Sequence, residues 1–215
     1  MTGSSPALRK GETTRQAILE RATVLASREG LDGLTIGTLA ADLGLSKSGL
    51  FAHFRSKDAL QVQILEFAGQ KFVDAVVRPA LAVPRGEARV RALFEHWLAW
   101  AESHHPGGCL FVAAATELDD QPGPARDQLV RSQRDWMETI ATCFRTGIAE
   151  GHFAPDAEPE QFAYSLYGVM LAYHHAARLL GDPAAVPRAR AAFEALLEGV
   201  RAAGAAPAHT REKTR

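Results

Sequence analysis

The sequence predicts an all-α fold of about nine helices, and two observations carry this prediction. Of the 215 residues, 47% are hydrophobic and 23% are charged, and strong β-formers are sparse whereas Ala, Leu, Arg and Glu are abundant. Apolar residues also recur at three- and four-residue spacing, as at Ile36, Leu39 and Leu43, which places them on one face of a helix. A chain of this length can bury one good core and a small second one.

Two short helices that meet at a tight turn are predicted between residues 35 and 54. Thr35 precedes the first helix, where its hydroxyl can accept a hydrogen bond from an orphan amide of the helix N-terminus. Gly44 follows the last periodic residue, where a left-handed conformation ends a helix at least cost. Ser46 then caps the second helix, which buries Leu50 and Phe54 at i and i+4. This is the pattern of a helix-turn-helix, which lays its second helix in the major groove of DNA.

The outward residues of the second helix predict how it would contact DNA. Its first turn carries the residues that would reach base edges, namely Lys47, Ser48 and Gly49. A lysine at this place can donate to O6 and N7 of guanine, and a serine can pair with several bases. Three further donors would hold phosphates and so set the register without reading sequence: Ser46, His53 and Lys57.

The continuation of this segment, Leu50 to Leu60, resembles the signature of TetR-family transcriptional regulators, and residues 13–60 are similar to that family's DNA-binding domain. The resemblance implies that Thr35 also holds a phosphate. Phe51 stands where the family usually has a Tyr whose hydroxyl reaches a phosphate, so its ring would pack on the DNA backbone without that bond. Gly37 stands where some members carry a base-contacting side chain. We therefore expect a somewhat leaner DNA interface than is usual in the family.

Charge is unevenly distributed along the chain, although its net value is −1. Residues 1–58 carry eight basic and six acidic side chains, so the remainder is correspondingly negative. This mild asymmetry fits a basic DNA-binding end on an acidic body. It argues against dense, sequence-blind coating of DNA, in which charge dominates affinity.

Several functional classes have no support in the sequence. Cys109 and Cys143 are not in CxxC spacing and provide no disulfide framework. The N-terminus shows no secretory signal, and no uninterrupted apolar run reaches about 18 residues, so we expect a cytoplasmic protein that does not enter a membrane. A Gly-rich phosphate loop and the HExxH and GxSxG motifs are missing, so we expect neither an enzyme nor a cofactor.

Breaks rich in Pro, Gly and charge divide the chain into four predicted parts. These are a flexible arm (1–12), a helix-turn-helix domain or head (13–58), a regulatory and dimerisation domain or body (59–203) and a disordered tail (204–215). A long helix from Ser56 to Val77 would join the head to the body. The other body helices are predicted at residues 87–104, 109–118, 125–150, 160–180 and 187–202.

The body also resembles the regulatory domain of one TetR subgroup, over residues 108–118, 150–153 and 162–180. In that family the domain dimerises through its last two long helices and holds an effector between the others. The resemblance implies a ligand-responsive regulator, most often a repressor, that binds a palindromic operator. The homodimer would form through about residues 160–180 and 187–202.

Aromatic side chains of the body could line an apolar cavity for a small-molecule effector, with a histidine as its polar group. The candidate lining residues are Trp97, Trp100, His104, Phe111, Trp136, Phe144, Tyr167 and His174. One alternative is a solid core, which would suit a DNA-binding protein that needs no ligand. Another is a redox or metal sensor built from Cys109 and the histidines. The adjacent pairs His104–His105 and His174–His175 point to different sides, so each pair offers one ligand at most to a site.

Overall fold

The computed structural model describes residues 6–103 and 106–202, and of residues 6–13 and Ser103 it describes the backbone alone. These ranges form α1 (Pro6–Glu29), α2 (Ile36–Asp42), α3 (Lys47–Phe54), α4 (Lys57–Phe72), a π-helical segment (Val73–Val77), α5 (Arg78–Ala82), α6 (Glu87–Ser103), α7 (Leu110–Leu118), α8 (Pro124–Ala149), α9 (Pro159–Arg178) and α10 (Ala185–Val200). Because α4, the π-helical segment and α5 are continuous, the described ranges contain nine helical runs. The predicted all-α fold is confirmed.

The five helices from α6 to α10 begin and end within two residues of their predicted bounds, whereas the long helix predicted to end at Val77 continues to Ala82, and α1 differs more. It begins at Pro6, inside the segment 1–12 that the sequence predicts as a flexible arm. Proline is favoured at the first helical position, and the following Ala7, Leu8 and Arg9 are good helix formers, so the helix extends towards the N-terminus. Residues 1–5 and the predicted tail at 204–215 lie outside the described residues.

The chain divides into two compact units. Within the described ranges the first unit holds α1 to α4, α7 and the start of α8 up to Gln133. Here α1 packs against α4 and α7, and α2 packs against α3. Its fully buried side chains include Leu31, Leu34, Leu39, Leu50, Phe54, Leu60 and Ile64. The predicted division after residue 58 groups the chain differently, because it assigned α7 to the body.

A close approach of backbone to backbone holds α7 in the first unit. A Cβ added at Gly107 would collide with the carbonyl of Ser27 on α1, so the turn before α7 can lie there because the residue is glycine. The amide of Gly107 also donates to Oγ of Ser27 at 3.3 Å. At the other end of α7, a carboxylate oxygen of Glu117 accepts from the amide of Asp32 at 2.9 Å.

The second unit comprises residues 73–100 and the described residues from Arg134 onwards. Its core contains stacked aromatic rings: Phe144 lies 4.3 Å from Phe153 and 4.2 Å from Phe162 between ring centroids. A further stack joins α6 to α10, with the centroids of Phe94 and Phe193 at 4.2 Å. In addition, α9 packs along α10. Among the described residues, no helix is long and apolar enough to span a membrane.

Candidate nucleic-acid interface

The first helix of the helix-turn-helix is fixed at both ends by its own residues. Oγ1 of Thr35 accepts from the amide of Thr38, and the amide of Thr35 donates to Oγ1 of Thr38, both at 3.0 Å. This reciprocal pair satisfies two amides that the helix itself leaves unpaired. At the other end Gly44 has a φ of +63°, and the amide of Leu45 donates to the carbonyl of Ala40 at 2.9 Å. The turn therefore leads into α3 with a defined direction.

The second helix begins at the predicted cap and buries the predicted pair. Oγ of Ser46 accepts from the amide of Gly49 at 3.1 Å. The side chains of Leu50 and Phe54 are at most 1% exposed, so this face of α3 packs into the core of the first unit. A helix that is anchored by its apolar face presents its other residues to solvent with little freedom to rotate.

The predicted DNA-contacting residues lie on α3, at the N-caps of α2 (Thr35) and α3 (Ser46), and at the first position of α4 (Lys57). Thr35, Ser46, Lys47, Ser48, Gly49 and Phe51 are exposed, and His53 and Lys57 are half-buried. The ring of Phe51 is 53% exposed, which is high for a large apolar side chain and agrees with a role in packing on a partner surface. The contacts of these residues with DNA remain predictions.

Lys57 is engaged within the protein, in a contact that the local sequence pattern does not predict. Its Nζ lies 2.6 Å from a carboxylate oxygen of Asp32, in the turn between α1 and α2. The same turn is held by Gln61, whose amide group donates to the carbonyl of Leu31 at 3.0 Å. A DNA phosphate would therefore have to compete with Asp32 for this ammonium group.

Arg55 is a further cation at this surface, and it is not among the predicted contacts. It is exposed, directly follows α3 and has a φ of 61°, a left-handed conformation that costs a non-glycine residue about 1–2 kcal/mol. Its amide donates to the carbonyl of Phe51 at 2.8 Å and so closes the helix. In the sequence, this cation is indicated by a basic residue that stands between the buried Phe54 and the helix cap Ser56. Oγ of Ser56 accepts from the amide of Ala59 and so caps α4.

The predicted effector-binding residues are distributed over both units. Phe111 belongs to the first unit, where its ring meets that of Phe72 edge-on at 5.9 Å. His104 lies outside the described residues. The remaining candidates belong to the second unit: Trp97, Trp100, Trp136, Phe144, Tyr167 and His174. Phe144 is packed between two other rings, so its surroundings are those of a filled core.

His174 is the polar candidate in the second unit. Its Nε2 is buried and has no hydrogen-bond partner among the described residues. Burial lowers the pKa of His174, and the charge of Arg178 lowers it further, so the imidazole is neutral near pH 7. A neutral imidazole can donate or accept one hydrogen bond at this nitrogen, depending on its tautomer.

The cysteine and histidine alternatives gain no support in the described ranges. Cys109 and Cys143 are both buried, and burial raises the pKa of the Cys143 thiol, with the charge of Arg89 opposing this shift. A thiol of raised pKa, as at Cys143, is a poor nucleophile, and the burial of Cys109 restricts the access of an oxidant to its thiol. No group of three or more His, Cys, Asp or Glu residues in the described part of the chain is placed to hold a metal ion.

Comparisons with known proteins agree with this architecture. Residues 18–64 match the family "bacterial regulatory proteins, tetR family", and residues 86–193 match "Tetracyclin repressor-like, C-terminal domain". The HTH-type transcriptional repressor DhaR of Mycobacterium sp. (strain GP1) is 26% identical over 152 residues, which cover 69% of this chain and 74% of DhaR.

Solved structures give the same result. A TetR transcriptional regulator from Chloroflexus aurantiacus J-10-FL is similar with a TM-score of 0.79 and 29% identity, covering 91% of this chain and 100% of that one. AibR, solved in complex with isovaleryl coenzyme A and operator DNA, shares the fold with a TM-score of 0.63 and 21% identity, covering 74% and 85%. The chain thus belongs to the TetR family of bacterial regulatory proteins, as its resemblance predicted, and is a DNA-binding transcriptional regulator.

Proposed function

We propose that this ligand-responsive repressor binds a pseudo-palindromic operator as a homodimer, and that a small apolar or aromatic molecule bound in the body releases it. The observation that carries the DNA-binding part is the first turn of α3, which is capped by Ser46 and exposes Lys47, Ser48 and Gly49. Two such helices related by a two-fold axis would read two half-sites about one helical turn, or a multiple of it, apart. TetR-family regulators are generally not enzymes, and we assign this chain no catalytic step.

The exposed face of α9 supports the homodimer. One face of this helix is buried in the second unit, with Phe162, Leu166, Met170 and Tyr173 each at most 6% exposed. Other apolar side chains of α9 and its C-terminal end face outwards: Tyr164, Leu171, Leu179 and Leu180, between 40% and 72% exposed. Large exposed apolar residues on one helix and on the turn that follows it mark an interaction surface, and a two-fold axis would place this surface against its own copy.

Light scattering at micromolar concentration tests the dimer. The wild type is expected at twice the chain mass, and Leu171→Glu at the chain mass, because a charge would be buried without a partner in the interface. Leu81→Glu is the matched control, since Leu81 is 45% exposed on α5, outside the proposed interface, and this variant should remain a dimer. A monomeric wild type would exclude the proposed interface.

The effector class follows from the side chains of the second unit. Several aromatic rings and the unpartnered Nε2 of His174 suit a ligand with a large apolar surface and one polar group. AibR, which has the same fold, was solved with a ligand and operator DNA together, which supports the idea that this architecture accommodates both. The coupling free energy between effector binding and DNA binding would be about 1–3 kcal/mol. The long helix from Ser56 to Val77 would transmit it by changing the spacing of the two DNA-binding heads of the dimer.

Selection of bound DNA from a random pool tests the whole proposal. The wild-type chain should enrich a sequence with two-fold symmetry, and the selection should be repeated with a panel of apolar and aromatic molecules. An effector should lower recovery of that sequence by roughly five- to 150-fold. A pool that stays random would contradict operator binding. An enriched sequence whose recovery no ligand changes would favour the ligand-independent alternative. Because operator DNA is read inside the cell, we assign the protein to the cytoplasm.

A further inference from the structure

Lys47 and Gly37 lie next to each other in the helix-turn-helix, although they belong to different helices. Lys47 is the first residue of α3, and Gly37 is the second residue of α2. A Cβ built at Gly37 would lie 3.3 Å from Cε and 3.6 Å from Nζ of Lys47. Since two carbon atoms prefer to be about 3.5–4.0 Å apart, a Cβ alone would need a small shift of the lysine, whereas a longer side chain at this position would need the space that the end of the lysine occupies.

The backbone beneath this lysine is held rigidly. The same built Cβ would lie 3.6 Å from Oγ1 of Thr35, and that oxygen accepts from the amide of Thr38. The reciprocal bonds between Thr35 and Thr38 fix the first turn of α2 and with it the position of Gly37. Lys47 therefore rests on a surface that has a defined shape.

The ammonium group of Lys47 is in an unusual electrostatic position. Among the described residues it has neither an ion-pair nor a hydrogen-bond partner, and it lies over the N-terminal turn of α2. The N-terminus of a helix carries a partial positive charge, so a cation gains nothing there from the helix. An ammonium group that is held without a protein acceptor remains available for an acceptor that arrives with DNA, such as O6 and N7 of guanine.

We infer that Gly37 is a positioning residue for Lys47. Because glycine has no side chain, the end of Lys47 can lie beside it. This placement fixes the base pair that Lys47 reads. The inference rests on the proposed function, because it needs Lys47 to contact a base. Gly37 therefore contributes to specificity without touching DNA. The two residues form one reading unit that spans both helices of the motif.

A double-variant cycle tests this coupling, with binding measured to the selected operator and to each of its single-base variants. Lys47→Ala should lower discrimination at one base pair of each half-site by roughly five- to 150-fold. Gly37→Leu should do the same at the same base pair, because leucine fills the space of the lysine and offers no donor of its own. The double variant should be no worse than either single variant, since both remove one contact.

Gly69→Leu is the matched control for the glycine substitution. Gly69 lies inside α4, and a Cβ built there meets no heavy atom within 4 Å among the described residues. Replacing a helical glycine by leucine favours the helix at both positions, so neither variant should lose its fold on that account. Gly69→Leu should leave base discrimination unchanged. If Gly37→Leu instead weakens binding to every sequence equally, or if the two effects add, the inference is overturned.

The free protein provides a readout that needs no DNA. A nuclear Overhauser effect between Hε of Lys47 and Hα of Gly37 should be present in the wild type and lost in Lys47→Ala. Its absence in the wild type would overturn the inference while leaving the proposed function intact. A wild type that selects no DNA sequence would overturn the proposed function, and the reading unit with it, and this outcome is recognised before any variant is made.

Discussion

Lys57 and Glu87 both form ion pairs, yet one pair lies at the surface and the other is part of a buried cluster. The side chains of Lys57 and Asp32 are 39% and 61% exposed. The carboxylate of Glu87 is 3% exposed and accepts from Arg91 at 2.8 Å and from Arg201 at 3.0 and 2.8 Å. Arg91 in turn pairs with Glu194. Lys57 can exchange Asp32 for another anion, whereas the carboxylate of Glu87 is enclosed by its two arginines.

This difference separates charges that serve recognition from charges that serve stability. An exposed pair contributes about 0–1 kcal/mol and can give way to a phosphate. In the Glu87 cluster, the removal of the buried carboxylate leaves Arg91 with Glu194 alone and Arg201 with Glu194 at 3.9 Å, which costs more than the loss of a surface pair. The cluster also ties α6 to the chain after α10, since Arg201 directly follows that helix. Substitutions in the two regions should therefore change different measurements.

Glu87→Gln should have the largest effect, a loss of about 1.5–3 kcal/mol in the free energy of unfolding, because Arg91 and Arg201 would keep only the half-exposed Glu194 as a negative partner. Urea denaturation at pH 7 measures this loss. Glu138→Gln makes the same chemical change in an exposed carboxylate, 65% accessible and 3.5 Å from Arg145, and should cost less than about 1 kcal/mol. Equal losses in the two variants would show that burial of the Glu87 cluster contributes nothing.

Acid should weaken the same cluster. Burial raises the pKa of Glu87, but the hydrogen bonds from Arg201 and Arg91 outweigh burial and hold it below its ordinary value of 4.5. A lowered carboxyl pKa in the native state stabilises the fold above the unfolded pKa, and this contribution is lost as the pH falls through the native pKa. The free energy of unfolding should therefore fall below about pH 4.5, and less steeply in Glu87→Gln. The same slope in both proteins would contradict this assignment.

Lys57→Ala should have a smaller effect, chiefly on DNA binding, because its exposed pair with Asp32 contributes at most about 1 kcal/mol to the fold. The loss of one phosphate contact should weaken binding to all sequences by a similar factor and reduce the slope of log affinity against log salt by about one. Lys71→Ala is the control, because Lys71 lies at the other end of α4, over the ring of Phe67. A change in base preference in Lys57→Ala would show that this residue reads sequence.

Phe51→Tyr should have the smallest effect, and it should be a gain. The ring is already exposed, so a hydroxyl would add a donor for a phosphate at little cost to the fold. Affinity for cognate and scrambled duplexes should rise together by about 0.5–1.5 kcal/mol, with the free energy of unfolding changed by less than about 0.5 kcal/mol. An unchanged affinity would show that no phosphate lies within reach of this position.

The sequence was sufficient to predict whatever depends on neighbouring residues. The caps at Thr35 and Ser46, the left-handed Gly44 and the buried pair Leu50 and Phe54 all follow from local spacing, and the structure has each of them. The grouping of α7 with the first unit did not follow, because it rests on the contact of Gly107 with Ser27, residues 80 apart.

Local sequence patterns also do not predict which charged side chains pair or how the aromatic rings pack. Lys57 and Asp32 are 25 residues apart, and both could equally have faced solvent. From the sequence, Gly37 is a position that lacks a base-contacting side chain. Its proximity to Lys47 is visible only in the structure, where α2 and α3 lie side by side. The sequence does not distinguish the aromatic residues of the body from one another, but Phe111 and Phe144 lie in different units. Spacing along the chain does not contain this information.

Parallel selections of DNA with the wild type and with Lys47→Ala test most directly the claim that the exposed first turn of α3 reads the operator. The wild type should enrich a two-fold symmetric sequence. Lys47→Ala should enrich the same sequence with base preference lost at one pair in each half-site, and the two pairs should be related by the symmetry axis. Identical base preferences in the two selections would contradict the claim, because Lys47 would then hold DNA without reading it.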